Sequence, residues 1–304
     1  MVSAGVGTTS GTRHLALSET ECQSSVMTGL GDWRELASGV YALVADPAGV
    51  NLGLVVGTER ALLVDTGSSP AQGRELRDAV TRVTSLPLAG AVVTHWHYDH
   101  AFGLAAFDDL ETIAHESVSA QLRSPAAAHE AQRLALDAAD LGLPHRLLVV
   151  MAALDLGGRR VELAHLGPAH TDGDLVVVVP DADLLFVGDL LESSGPPSFG
   201  DDCYLDEWAV TLDGVIGLMT ATTQAVPGHG DPVDRLFAFG QRGEVAGVAG
   251  EIRRLFESGV PEAEAVSQGS WAYPEASIAP AVAVGYRALA ASGATPRRPT
   301  LPLA

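Results

Sequence analysis

Cysteine is nearly absent. Among 304 residues there are two, Cys22 and Cys203, in no CxxC or CxxH spacing. That excludes a disulfide framework and a thiolate-held structural metal, so any metal has to be held by histidine and carboxylate. Basic charge is scarce too: 18 Lys and Arg against 38 Asp and Glu leave a net charge of −20. Such a field repels phosphate backbones and anionic headgroups, which argues against nucleic acid and membrane surfaces and for a small-molecule partner. Long apolar runs are missing as well. LVVVV at 175–179 ends at Pro180, far short of the ~20 residues that span a bilayer. No 7 to 15 residue apolar stretch marks a signal peptide in the first thirty residues, so the expected location is the cytoplasm.

What is present is the composition of a globular chain. With 47% apolar side chains, a chain of this length buries roughly three quarters of its unfolded surface. Residues 1–32 are rich in Ser, Thr and Gly and read as a flexible N-terminal arm in which His14 is solvated. From Trp33 the pattern changes. GVYALVA, NLGLVVG and ALLVDTG are short β-branched runs separated by turn residues, and they predict an antiparallel meander. A helix over 70–84, strands AGAVVTH and ETIAH, and one helical stretch over 117–141 follow. The second half repeats the grammar: strands RLLVVM, VELAHLG, DLVVVVP and LLFVGDLL, a helix over 206–220 and a last strand TQAVPGHG. Helical patterns then cover 233–258, 261–267 and 274–291. Leu236, Phe237, Phe239, Ile252, Leu255 and Phe256 predict that this tail packs on the core as a cap near the functional edge.

The chemistry is concentrated in Thr94-His95-Trp96-His97-Tyr98-Asp99-His100, four metal-capable side chains in six residues at the end of a strand. On extended chain His95 and His97 point the same way and reach one ion, while Asp99 and His100 turn toward a second. Imidazole and carboxylate suit zinc, whose tetrahedral sites take further ligands from elsewhere in the chain. His170 in GPAHTDGD, Asp189 at the end of LLFVGD and His229 in VPGHG supply them, each at a strand end before a tight turn.

Asp65 in LLVDTG, HWHYDH, His170, Asp189 and His229 resemble, in order, the five motifs of the metallo-β-lactamase superfamily, over residues 33–236. The resemblance implies an α/β fold, the four-layer αβ/βα sandwich, here with a C-terminal helical segment over 237–304. It implies a first metal on His95, His97 and His170, a second on Asp99, His100 and His229, and Asp189 between them. Asp65 and Asp99 are then the candidate catalytic carboxylates, Asp65 by orienting the metal-binding turn. The cofactor implied is two zinc ions, with iron or manganese as the alternatives. A dinuclear site of this kind lowers the pKa of a shared water and directs hydroxide at a carbonyl carbon.

One scaffold here carries several chemistries. The β-lactamases proper usually place Cys or Ser where Asp189 stands, the nucleases need basic surface, and no Lys/Arg-rich C-terminal patch resembles the glutathione site of a glyoxalase II. The sequence therefore points to a zinc hydrolase of a small ester, lactone or thioester. The competing readings are a mononuclear iron enzyme of the persulfide dioxygenase type, using only His95, His170 and Asp189, and a non-catalytic metal-binding module. His115 and His165 read as structural, His129 and His145 as exposed, and Trp96 and Tyr98 as core-facing. Cys203 reads as inert, its thiol held protonated by Asp201 and Asp202. The pocket walls are expected from the loop after Glu192 and from the C-terminal helices.

Overall fold

The computed structural model describes Met1 and residues 29–295. Most of the arm assigned to 1–32, with Cys22 and His14, lies outside them, but Leu30 bridges to Ala45 at the sheet. In chain order the first half runs β1 (Arg34–Ala37), β2 (Val40–Ala45), β3 (Val50–Val56), β4 (Ala61–Val64), α1 (Pro70–Val80), β5 (Leu88–Val92), α2 (Tyr98–Ala101), β6 (Glu111–His115), α3 (Val118–Gln121), α4 (Pro125–Arg133) and β7 (Arg146–Leu148). The second runs β8 (Met151–Asp155), β9 (Arg160–His165), β10 (Leu175–Val179), β11 (Leu184–Glu192), α5 (Leu205–Leu218), β12 (Gln224–His229), α6 (Arg235–Glu257), α7 (Glu262–Gln268) and α8 (Glu275–Ala291).

The strand order is β7-β6-β5-β4-β3-β12-β11-β10-β9-β8, with β2 and β1 branching from β3. β3 and β12 meet at a single position, Val50 opposite His229. The ladder folds there into two facing sheets. Side-chain alternation assigns the layers. Leu62 and Val64 of β4 pack inward with Val177, Phe186 and Val226 of the other sheet, while Ala61 and Leu63 pack outward with Leu76 and Val80 of α1. On the far side Val176, Leu185 and Val187 pack against Trp208 and Leu212 of α5, Val248 and Ile252 of α6, and Ile278 and Val282 of α8. Helix, sheet, sheet and helices make the αβ/βα sandwich, and each buried Leu, Ile or Val contributes about 1.5–3 kcal/mol.

The helices start where local chemistry lets them. The Ser69, Ser124 and Asp234 side chains accept from the backbone N–H groups of Gln72, Ala127 and Phe237, and Pro70 and Pro125 open α1 and α4. Pro125 also breaks the single helix expected over 117–141 into α3 and α4. RLLVVM, expected to be one strand, is split. β7 pairs with β6 in the first sheet and β8 with β9 in the second, so the chain between them crosses the sandwich.

The tail corrects a further expectation. The buried stripe of α6 is Ala238, Gln241, Val245, Val248, Ile252 and Leu255, a helical period that leaves Leu236, Phe237 and Phe239 on the outside. α6 and α8 cover the outer face of the second sheet rather than the sheet edge, because that is where the apolar face of α5 lies. No helix among the described residues is long and apolar enough to cross a membrane.

Candidate metal centre

All seven predicted ligands converge where the two sheets join. His95 and His97 follow β5, and Asp99 and His100 stand on α2, a single turn. His170 lies between β9 and β10, and His229 ends β12. Asp189 differs from the expected strand end: it lies inside β11, just after a register irregularity at Gly188. Gly188 has φ +52, and a Cβ on Gly228 would overlap Asp189 Oδ1. Both glycines let β11 turn its carboxylate into the site.

The ligand atoms form two groups, His95, His97, His170 and Asp189 in one and Asp99, His100 and His229 in the other, each lying within 4.8 Å. Asp189 connects them. Its Oδ2 is 3.4 Å from His170 Nε2 and 3.8 Å from His95 Nε2, while its Oδ1 is 3.2 Å from His100 Nε2 and 3.6 Å from His229 Nε2. Asp99 Oδ2 is 3.2 Å from His229 Nε2.

Around this cluster the outer nitrogens are committed. Asp65 Oδ1 accepts from Thr94 N at 2.7 Å, and its Oδ2 accepts from Thr94 Oγ1 at 2.9 Å and His100 Nδ1 at 2.8 Å. The Thr94 hydroxyl proton is thus spent on Asp65, and its oxygen, 3.1 Å from His95 Nδ1, accepts from that ring. His170 Nδ1 donates to Ser198 O at 3.2 Å and His97 Nε2 to Asp202 Oδ2 at 3.1 Å. Each ring therefore turns a lone pair inward.

The inner atoms lack protein partners. His95 Nε2, His100 Nε2 and Asp189 Oδ1 are buried without a hydrogen bond, and His97 Nδ1 faces His170 Nε2 at 2.8 Å. Two lone pairs at that separation repel unless a cation or a proton lies between them. The donor set, nitrogen and carboxylate oxygen without thiolate, fits divalent zinc in both groups.

The electrostatics show what protons do in place of a metal. Burial, followed by the charge of His100, holds His95 well below the usual imidazole range. Burial and His97 bring His170 down to about 4. Burial opposes charge on His100 and His229 as well, but the carboxylates outweigh it. Asp189, Asp65 and Asp99 hold His100 well above the imidazole range, and the facing carboxylates of Asp189 and Asp99 push His229 up to about 10. Burial would raise Asp189, yet His100 holds it well below the carboxylate range. Two of these rings are thus held neutral, and two favour the charged form against the buried carboxylates.

Asp65 is buried behind His100, at φ +63, and does not line the open cavity. That cavity, of about 780 Å³, is lined by Trp96, Tyr98, Arg133, Glu192, Ser194 and Asp201 among others. The loop after Glu192 forms a wall as expected; no residue of α6, α7 or α8 lines it.

Asp202 is the functional residue that the sequence did not single out, except as a neighbour of Cys203. Besides His97, its Oδ2 accepts from Trp96 Nε1 at 2.7 Å. Burial would raise it, but the hydrogen bond from His97 leads in holding it down to about 2. No spacing in the sequence links 202 to 97. The other histidines among the described residues have protein partners or face solvent. His115 and His165 stack at 4.2 Å, with Ser117 Oγ and Asp174 O as their partners. His145 meets Thr112 Oγ1, and exposed His129 stands at the cavity rim. Cys203 is buried, and burial followed by the Asp202 charge pushes its thiol up to about 12.

Fold and site together define a class, an αβ/βα sandwich with a histidine–aspartate centre at the junction of its sheets. The family model of the metallo-beta-lactamase superfamily matches residues 45–230, and the chain belongs to that superfamily. A metallo-beta-lactamase type 2 of Bacillus cereus is 26% identical over 207 residues, covering 67% of this chain and 75% of that protein. A human acyl-coenzyme A thioesterase is 26% identical over 209 residues, covering 59% of this chain and 72% of that protein. Among solved structures, a metallo-beta-lactamase from Pontibacter korlensis superposes with a TM-score of 0.59 at 21% identity, covering 70% of this chain and 98% of that one. The chain is a hydrolase of this superfamily.

Proposed function

We propose that the protein is a dinuclear zinc hydrolase acting on a small ester, lactone or thioester. The observation that carries this reading is the divided carboxylate of Asp189, one oxygen toward His95 and His170 and the other toward His100 and His229. His95, His97 and His170 would hold one ion and Asp99, His100 and His229 the second, with Asp189 placed to serve either group. Bound zinc supplies Lewis acidity and brings the pKa of a water toward neutrality.

The chain's own residues prepare that chemistry. Asp65 and Thr94 fix the tautomers of His100 and His95, and Asp202 and Ser198 O fix those of His97 and His170. Trp96, Tyr98 and Arg133 wall the cavity above both groups, and Arg133 lies 5.1 Å over the Tyr98 ring. Residues 33–236 form the catalytic unit, buttressed by the helices beyond.

Relatives named for a thioester and for β-lactams support an acyl carbon as the electrophile. The test is metal analysis of protein expressed with zinc, followed by a panel of thioesters, lactones and β-lactams. About two zinc per chain are expected, with thioester or lactone turnover above that of β-lactams. One tightly bound iron per chain, or no turnover with two zinc bound, overturns the reading.

A further inference from the structure

The segment from β7 to β8 reads Arg146-Leu-Leu-Val-Val-Met-Ala-Ala-Leu-Asp155. It straps the two sheets together: Leu148 O accepts from Glu116 N at 2.9 Å on one side, and Val150 O from His165 N at 2.8 Å on the other. β7 and β8 are the terminal strands of the order, each paired on one side only. Leu147, Val149, Val150 and Met151 are 49, 54, 58 and 73% exposed. Four exposed apolar side chains in five residues, on two terminal strands and the connection between them, are what isolated proteins usually avoid, by placing charge there.

We propose that this strap is the contact through which two copies of the chain associate about a two-fold axis. The order of charges selects a second copy as the occupant. The strap carries one cation at its first residue, one anion at its tenth and none between. An antiparallel crossing centred between Val150 and Met151 therefore sets Arg146 of each copy against Asp155 of the other, with apolar side chains in the middle. This is the self-complementarity that a two-fold interface requires. Elsewhere a net charge of −20 drives copies apart. Both charged groups are free to turn: Arg146 is held by Glu111 only at 3.7 Å in an exposed pair, and Asp155 uses one oxygen to accept from Gly157 N at 2.9 Å.

The test is sedimentation equilibrium of the full chain, from about 1 to about 100 µM. Wild type is expected to be a dimer in this range. Met151→Glu is expected to be a monomer with unchanged circular dichroism. Asp155→Arg should weaken association by about tenfold or more, and adding Arg146→Asp to it should restore the dimer. The double exchange separates pairing across the axis from loss of the Gly157 turn, which a change at 146 does not repair. A wild-type monomer throughout, a monomer that floats with anionic vesicles, or a double exchange that fails to restore association overturns the proposal.

Discussion

Asp202 holds His97 from outside the metal centre: its Oδ2 stands 3.1 Å from His97 Nε2 and 2.7 Å from Trp96 Nε1, so His97 presents Nδ1 inward. The two residues lie 105 positions apart in the chain. Carboxylates in this role typically change metal affinity 10- to 100-fold when removed. Asp202→Asn keeps the shape and an acceptor but loses the charge. We expect about tenfold weaker binding of one ion, read by chelator competition, with unchanged circular dichroism. Wild-type affinity would reduce Asp202 to a support for Trp96.

Asp189 is expected to matter more. An anion between two dications offsets a repulsion on the order of 10 kcal/mol at an effective dielectric near 20. Asp189→Ala should lower metal content toward one ion per chain and turnover by about two orders of magnitude or more. Asp189→Asn should be nearly as damaging, because it keeps one oxygen but not the charge. A variant that kept two ions and most of its activity would remove the bridge from the mechanism.

Asp174, outside the ligand set, gives a pH dependence of stability. It is buried, accepts from Thr171 N and Oγ1 at 2.9 Å each, and burial pushes it up to about 7 from 3.8. The folded state thus keeps a proton that the unfolded chain releases. Its contribution to stability is complete below the unfolded value and is lost as pH rises through about 7, at up to about 1.4 kcal/mol per pH unit. Asp174→Asn should flatten this slope. Calorimetry at pH 5 and 8 should find the variant gaining on wild type at the higher pH, and equal differences at both would refute the assignment.

Arg287 of α8 links the tail to the pocket. It donates to Asp201 O at 2.9 Å on the loop that forms one wall. Arg287→Ala should raise KM several-fold while leaving metal content intact, since none of the proposed ligands lies beyond His229. Removing residues 259–304 is a different experiment. α7 and α8 contribute Ala265, Ile278, Val282 and Leu289 to the core, so that truncation should lower Tm rather than tune specificity.

The seven convergent residues were legible because a dinuclear centre asks for rare side chains at short, ordered spacings. HWHYDH announces itself, and the strand-and-turn context around His170 and His229 places them at one edge of a sandwich, whereas Asp189 reaches it from inside β11. The strands of ALLV and LVVVV were legible as short apolar runs, and α1 from its start at Pro70. All of these are local signals, in which a residue's neighbours along the chain state what it does.

What the tertiary structure alone decided is pairing over long separations. RLLVVM has one composition but two sheet partners, and only the sandwich decides where it breaks. Leu236, Phe237 and Phe239 are as apolar as Ile252, yet the face of α6 that meets α5 and α8 passes through Ala238 instead. Asp202 gains its role only when the loop after β11 folds back on His97. Local propensity and spacing act over a few residues. Burial and hydrogen bonding across 105 positions depend on the path of the whole chain, and that path chose which of many surface aspartates became part of the centre.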